Sequence, residues 1–173
     1  MKSENDGLTE AAKVVSMDEL LRLRDQWRRA GRVVVWTNGC FDMLHLGHVR
    51  SLQAARDLGD VLIVGVNSDA SVASLKGCGR PIALFDERAE VLAALECVSA
   101  VVGFGELTPE RSIATIEPDI HVKGADYAPP DGKPVPAAAI VESYGGRVCY
   151  LPLIEGISTT DRLRRIAEGG PQE

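Results

Sequence analysis

The stretch TNGCFDMLHLGHVR, residues 37–50, sets two histidines three positions apart around a glycine, directly after the apolar run RVVVW. If a helix begins here, His45 and His48 at i, i+3 can turn their rings the same way. A helix start carries unpaired backbone N–H groups and the positive end of the helix dipole, which together favour an anion. Two imidazoles beside them can donate hydrogen bonds to phosphate oxygens, and Gly47, which has no Cβ, lets a ligand come close to the backbone. Two other readings compete: the rings cap or pack without touching a ligand, or they bind zinc. Helical zinc pairs more often take the spacing HxxxH with a further ligand elsewhere. The remaining histidine, His121, falls inside an apolar run with no obvious convergence on the pair.

The elements that must position these residues form a regular series. Ser16 is placed to cap a helix over residues 17–31, with Met17, Leu20, Leu21, Leu23 and Trp27 roughly on one face and Gly31 as its stop. After it, apolar β-branched runs at 32–37, 60–67, 99–104, 119–124 and 147–153 alternate with helical stretches at 48–59, 85–96, 108–117, 136–146 and 159–168. The runs are continuously apolar, as strands are when both faces of a parallel sheet are covered. The expected fold class is therefore α/β, a doubly wound five-stranded parallel sheet with helices on both faces. Gly59, Gly145 and Gly146 stand where helices should stop, and Pro109 in the first turn of its helix. The segment YAPPDGKPVP, residues 127–136, holds four prolines and reads as a loop that could border a site. Residues 1–14 and 168–173 are polar and read as disordered ends of one domain spanning 15–167. In an open parallel sheet, ligands bind beyond the carboxyl ends of the strands where strand order reverses. That directs attention to TNGCFD, NSD, VKGADY and LIEGISTT.

Bulk properties narrow the function classes. The chain has 173 residues, 45% of them hydrophobic and 25% charged, enough for one domain with a sizeable core. A net charge of −6 argues against a general binder of nucleic acid or anionic membranes, so a phosphate site has to be local. Cys40, Cys78, Cys97 and Cys149 are scattered without a CxxC pair, which fits a reducing compartment. The N-terminal residues lack the apolar core of a signal peptide, and no run approaches the ~18 apolar residues of a membrane span, so a cytoplasmic location is expected.

With these residues in view, TNGCFDMLHLGH resembles the HxGH signature of the nucleotidyltransferase superfamily, which has a Rossmann-like (HUP-type) fold. More narrowly, TNGCFD, LIVGVNSDASVASLKGCGRPI, ERAEVLAALECV, PDIHVKGADY and GISTTDRLRRI, in this order, are similar to the bacterial heptose 1-phosphate adenylyltransferases. The likeness covers roughly residues 15–167. It implies transfer of AMP from ATP to a sugar 1-phosphate with release of pyrophosphate, Mg²⁺ arriving on the triphosphate, a homodimer, and a separate sugar kinase. Alternatives are a glycerol-3-phosphate cytidylyltransferase using CTP, suggested by EGISTT, and a nucleotide-binding regulatory module without catalysis.

The resemblance also implies site residues. His45, His48 and Lys76 would stabilise the transition state, Lys76 from a flexible glycine-rich segment after the second strand. The nucleotide would meet Asn38, Gly39, Cys40, Phe41, His45, Gly47 and His48 at the first switch-point helix, then Lys123 and Gly124, and finally Gly156, Ile157, Ser158, Thr159 and Thr160. The run of hydroxyls before a helix also reads simply as an N-cap. Asp42, Asp69, Lys76, Arg80, Arg88, Asp126 and Tyr127 are candidates for the acceptor. Against these roles stand solvated loop charges for Lys76 and Arg80, a surface salt bridge for Arg88, and turn caps for Asp42 and Asp69. Ala125 and Ser99 depart from the family's usual glycine and aspartate; neither touches the expected chemistry.

Overall fold

The computed structural model describes residues 13–152 and Gly169. Helix α1 (Met17–Arg29) begins at Ser16, whose Oγ accepts the Glu19 N–H at 3.2 Å. Acidic Asp18 and Glu19 in its first turn and basic Arg28 and Arg29 in its last both favour the helix dipole. Its buried Arg24 donates to the carbonyls of Ile116 and Glu117 at 3.2 and 2.7 Å, closing the end of a distant helix.

Five strands follow: β1 (Val34–Gly39), β2 (Val61–Asn67), β3 (Ala100–Phe104), β4 (Ile120–Gly124) and β5 (Arg147–Leu151). They form one parallel sheet in the order β3-β2-β1-β4-β5, so the chain winds outward from β1 to β3 and then returns to β1's other side. Side chains alternate between the faces. Val34, Trp36, Val61 and Ile63 join Leu20 and Trp27 of α1 together with α5 (Glu110–Ile116) and α6 (Ala138–Ser143) in one core. Val35, Leu62, Val64 and Val122 join α2 (Leu46–Arg56) and α4 (Phe85–Ala93) in the other. This is the two-faced α/β architecture that the apolar runs predict. Gly65 is required where the Trp36 ring lies over β2, since a Cβ there would collide with the indole.

The boundaries differ in instructive ways. β1 runs on to Gly39, and α2 starts at Leu46 rather than at residue 48, so the turn between them is shorter than its sequence suggests. Asp69–Lys76 forms a helix, α3, so Lys76, expected on a flexible glycine-rich segment, is instead the last residue of a helix. Ser68 Oγ caps it, and Gly77, at φ +90°, ends it in a conformation that side-chain-bearing residues avoid. α6 starts at Ala138, because the run of prolines before it cannot supply helical N–H groups. Pro109 is the N-cap of α5 rather than part of its first turn. The expected disorder up to residue 14 stops short: Lys13 Nζ donates to the Leu95 carbonyl at 3.1 Å, and Val14 forms a parallel bridge with Val101. The expected helix at 159–168 and the nucleotide segment Gly156, Ile157, Ser158, Thr159 and Thr160 lie outside the described residues. No helix among the described residues is long and apolar enough to cross a membrane.

Candidate active site

The switch point lies between β1 and β4. Their pairing is confined to Val35↔Ile120 and Trp36↔His121. Beyond it the side chains of Asn38 and Lys123 face one another, with Lys123 Nζ donating to Asn38 Oδ1 at 3.1 Å. Two adjoining cavities open at this edge. The smaller, about 180 Å³, runs between the ends of β1 and β4, the first turns of α2 and Leu151 of β5. The larger, about 680 Å³, extends toward α3, the loop after β3 and the proline-rich loop after β4. Asn38, Gly39, Cys40, Phe41, His48 and Lys123 border both cavities, so a molecule in either meets a molecule in the other there.

The two histidines occupy the start of α2. His45 is the N-cap in extended conformation, and its Nδ1 accepts the His48 N–H at 3.3 Å. A neutral His45 that accepts at Nδ1 carries its proton on Nε2, which leaves that atom a donor. The rings stack with centroids 3.8 Å apart and planes at 22°, and the edge of Phe41 meets His48 at 5.3 Å. Capping is therefore part of what His45 does, and His48 is the ring on the cavity walls. Gly47 is the second residue of the helix, where backbone N–H groups have no intrahelical acceptor.

Lys76 is the last residue of α3 and is exposed; with Arg80 it lines the larger cavity. Arg80 forms an ion pair with the buried carboxylate of Asp42, which also accepts the N–H groups of Ile82 and Ala83 at 2.6 and 3.2 Å. Asp42 thus holds the 80–83 segment to the β1–α2 turn, and both its oxygens are already engaged. Arg88 corrects the expectation most sharply. Its side chain is 1% exposed and borders neither cavity. It donates to the carbonyls of Ala83 and Cys40 at 3.0 and 2.6 Å, and to Asp69 Oδ1 at 2.6 Å. Asp69 is accordingly Arg88's partner and is placed neither on a cavity wall nor as a turn cap. Between these clamps Phe41 sits at φ +48°, a left-handed conformation that costs a side-chain-bearing residue about 1–2 kcal/mol. Hydrogen bonds to charged groups, at about 1.5–3 kcal/mol each, outweigh that cost.

On the β4 side, burial pushes the Lys123 ammonium down to about 8, with Asp126 partly opposing. Lys123 and Lys133 each place Nζ 5.4 Å from the centre of the Tyr127 ring. Lys133 pairs with Asp126 at 2.9 Å, which raises the lysine and fixes the aspartate outside the cavities. Tyr127, Pro134 and Pro136 line the larger cavity, so the proline-rich loop does border the site. Gly124 borders the smaller one. Cys40, whose thiol burial raises, has Sγ 4.0 Å from Asn67 Oδ1 and contributes its carbonyl to Arg88. Among the described residues no three His, Cys, Asp or Glu side chains gather to hold a metal ion.

Sequence reasoning missed Asn67, Leu75 and the Leu107–Thr108–Pro109 corner of the larger cavity. Asn67 ends β2 and donates to Ser71 Oγ at 2.9 Å and to the Glu106 carbonyl at 3.3 Å, tying α3 to the corner. As the first residue of NSD, at a strand's carboxyl end, it falls in a stretch the sequence singles out, though no role is assigned to it there.

Residues 36–162 match the family described as cytidylyltransferase-like. The chain belongs to that family. This cytidylyltransferase-like chain is 49% identical over 165 residues to the bifunctional protein HldE of Syntrophotalea carbinolica, covering 91% of itself and 33% of that protein. It is 50% identical over 154 residues to the HldE of Koribacter versatilis, covering 89% of itself and 31% of the relative. It spans about a third of the length of these relatives. Among solved structures, the lipopolysaccharide core biosynthesis protein from Thermoplasma volcanium superposes with a TM-score of 0.58 at 25% identity, covering 72% of this chain and 98% of that one. The sheet and its flanking helices are thus those of an α/β nucleotidylyltransferase fold.

Proposed function

We propose that the chain is an adenylyltransferase that transfers AMP from ATP to heptose 1-phosphate, giving ADP-heptose and pyrophosphate for envelope polysaccharide. The observation that carries this reading is the pair of cavities meeting at Asn38–Phe41, His48 and Lys123, which gives a nucleotide and a phosphorylated acceptor a common boundary. The sugar follows from the resemblance to heptose 1-phosphate adenylyltransferases and from similarity to the HldE proteins; the structural neighbour from Thermoplasma, a lipopolysaccharide core biosynthesis protein, fits the same product.

A phosphate oxygen of the sugar 1-phosphate attacks the α-phosphorus of ATP, and the bond to the pyrophosphate oxygen breaks. The reaction needs in-line positioning and neutralisation of charge more than a covalent nucleophile. His48 and the first N–H groups of α2 face that charge, with His45 fixing the ring beside it. Lys123 holds the phosphates from the β4 side and Lys76 from the acceptor side. The hydroxyls of Ser158, Thr159 and Thr160, with Gly156 and Ile157, complete the nucleotide site on the strength of the resemblance. Asp42 is committed to Arg80 and to backbone N–H groups, so Mg²⁺ would be held by the triphosphate itself and would supply neutralisation of phosphate charge there. A separate sugar kinase that phosphorylates the anomeric hydroxyl belongs to the same reading. Self-association as a homodimer and a cytoplasmic location belong to the same proposal.

Incubation with ATP labelled at the α-phosphorus and heptose 1-phosphate, followed by mass spectrometry, should yield a labelled nucleotide sugar of the mass of ADP-heptose. Label that stays in ATP while ATP binds tightly would favour the non-catalytic binding module.

A further inference from the structure

We infer that Arg88 is a positioning residue for this reaction: from outside the cleft it holds Phe41 in the left-handed conformation that sets the Phe41 ring against His48. The inference rests on the adenylyltransferase reading only where it speaks of turnover. The Arg88 side chain is 1% exposed, on the buried side of α4, and lines neither cavity. Its Nη1 donates to the Cys40 carbonyl at 2.6 Å. That carbonyl belongs to the peptide plane whose rotation about N–Cα is φ of Phe41, so gripping it fixes φ directly. One residue further on, Asp42 is held by the Ile82 and Ala83 N–H groups and by Arg80. Phe41 is therefore the unclamped residue between two clamped ones, and its φ of +48° is the conformation they impose.

The consequence reaches the chemistry through one contact. The Phe41 ring meets His48 edge-on at 5.3 Å and 60°, and His48 borders both cavities. Without the grip on Cys40, Phe41 can return to the negative φ that side chains favour, and its ring leaves His48. A lysine cannot replace Arg88. One ammonium does not reach the Cys40 and Ala83 carbonyls and Asp69 together, whereas the planar guanidinium does.

The test compares Arg88→Lys with Asp69→Asn, a milder change that leaves an acceptor oxygen on Arg88's partner. His48 ring ¹H–¹³C resonances of the free protein are measured beside pyrophosphate release. In Arg88→Lys the His48 resonances should move while the amide signals of β2 and β3 stay in place. The kcat should fall by about 10²-fold, with KM for ATP and for the acceptor each within about threefold of wild type. Asp69→Asn should move the same resonances in the same direction by less. Unchanged His48 resonances in folded Arg88→Lys would overturn the inference, as would a rise confined to one substrate's KM, the sign of a direct contact. If Arg88→Lys does not fold, unchanged resonances in Asp69→Asn overturn it. A wild-type protein that turns over no sugar 1-phosphate defeats the functional reading, and the resonances still decide whether Arg88 positions His48.

Discussion

The two walls of the cleft are held by different kinds of interaction. On the β1–α2 side, residues 39–48 are fixed through two buried side chains, Asp42, which pairs with Arg80, and Arg88, which pairs with the more exposed Asp69 and donates to the Cys40 carbonyl. On the β4 side, the loop from Tyr127 to Pro136 is tied by the Lys133–Asp126 pair, whose side chains are 65% and 34% exposed, and by backbone bonds from Gly132 to Ala128 and from Lys133 to Asp126. Breaking a buried ion pair leaves an uncompensated charge and is costly, whereas an exposed pair contributes little. The wall that would meet the α-phosphorus is thus the rigid one. The loop on the β4 side is held more weakly.

The largest effect should come from the rigid wall itself. His48→Ala should lower kcat by at least ~10²-fold, the scale of one lost transition-state donor, with the urea midpoint close to wild type. A folded variant with near-normal turnover would remove His48 from the mechanism.

His121, in β4, is wholly buried, and neither ring nitrogen has a hydrogen-bond partner among the described residues. Burial, reinforced by Lys123, lowers it to about 3. Between about pH 3 and 6.5 the unfolded chain therefore binds a proton at this site that the folded chain refuses, and stability falls as the pH drops through that window. The loss from pH 7 to 4.5 should be about 2–3 kcal/mol, and His121→Leu should abolish most of it. Urea unfolding at both pH values reads this. An equal loss in the variant would place the acid sensitivity elsewhere.

Lys123 links the two walls. Its charge is lost near pH 8 rather than in the usual lysine range, so kcat/KM for ATP should fall by about tenfold as pH rises through 8. Lys123→Arg, which stays charged, should remove that inflection. Its persistence in the variant would assign it to another group. The smallest effect belongs to the soft wall: Lys133→Ala should raise the acceptor KM by no more than about threefold and leave the ATP KM unchanged.

Much of this arrangement was legible in the sequence. Continuous apolar runs gave away a sheet covered on both faces, and the glycine-spaced histidines marked a helix start at a strand's end, where Asn38 and Lys123 also belong. Helix α3 was hidden because DASVASLK is short, weakly amphipathic and followed by glycines that look like a loop. The assignment of Arg88 failed for another reason. Its partners lie 48, 19 and 5 residues away, two of them backbone carbonyls, which carry no side-chain signature. Spacing shows which residues one element aligns; it cannot show which loop a buried guanidinium will grip.

The central claim is most directly tested by pyrophosphate release from the pure protein, with ATP or CTP set against heptose 1-phosphate and glycerol 3-phosphate. The predicted result is turnover with ATP and heptose 1-phosphate well above every other pairing. Turnover with CTP alone, or ATP binding without pyrophosphate from any acceptor, would contradict it.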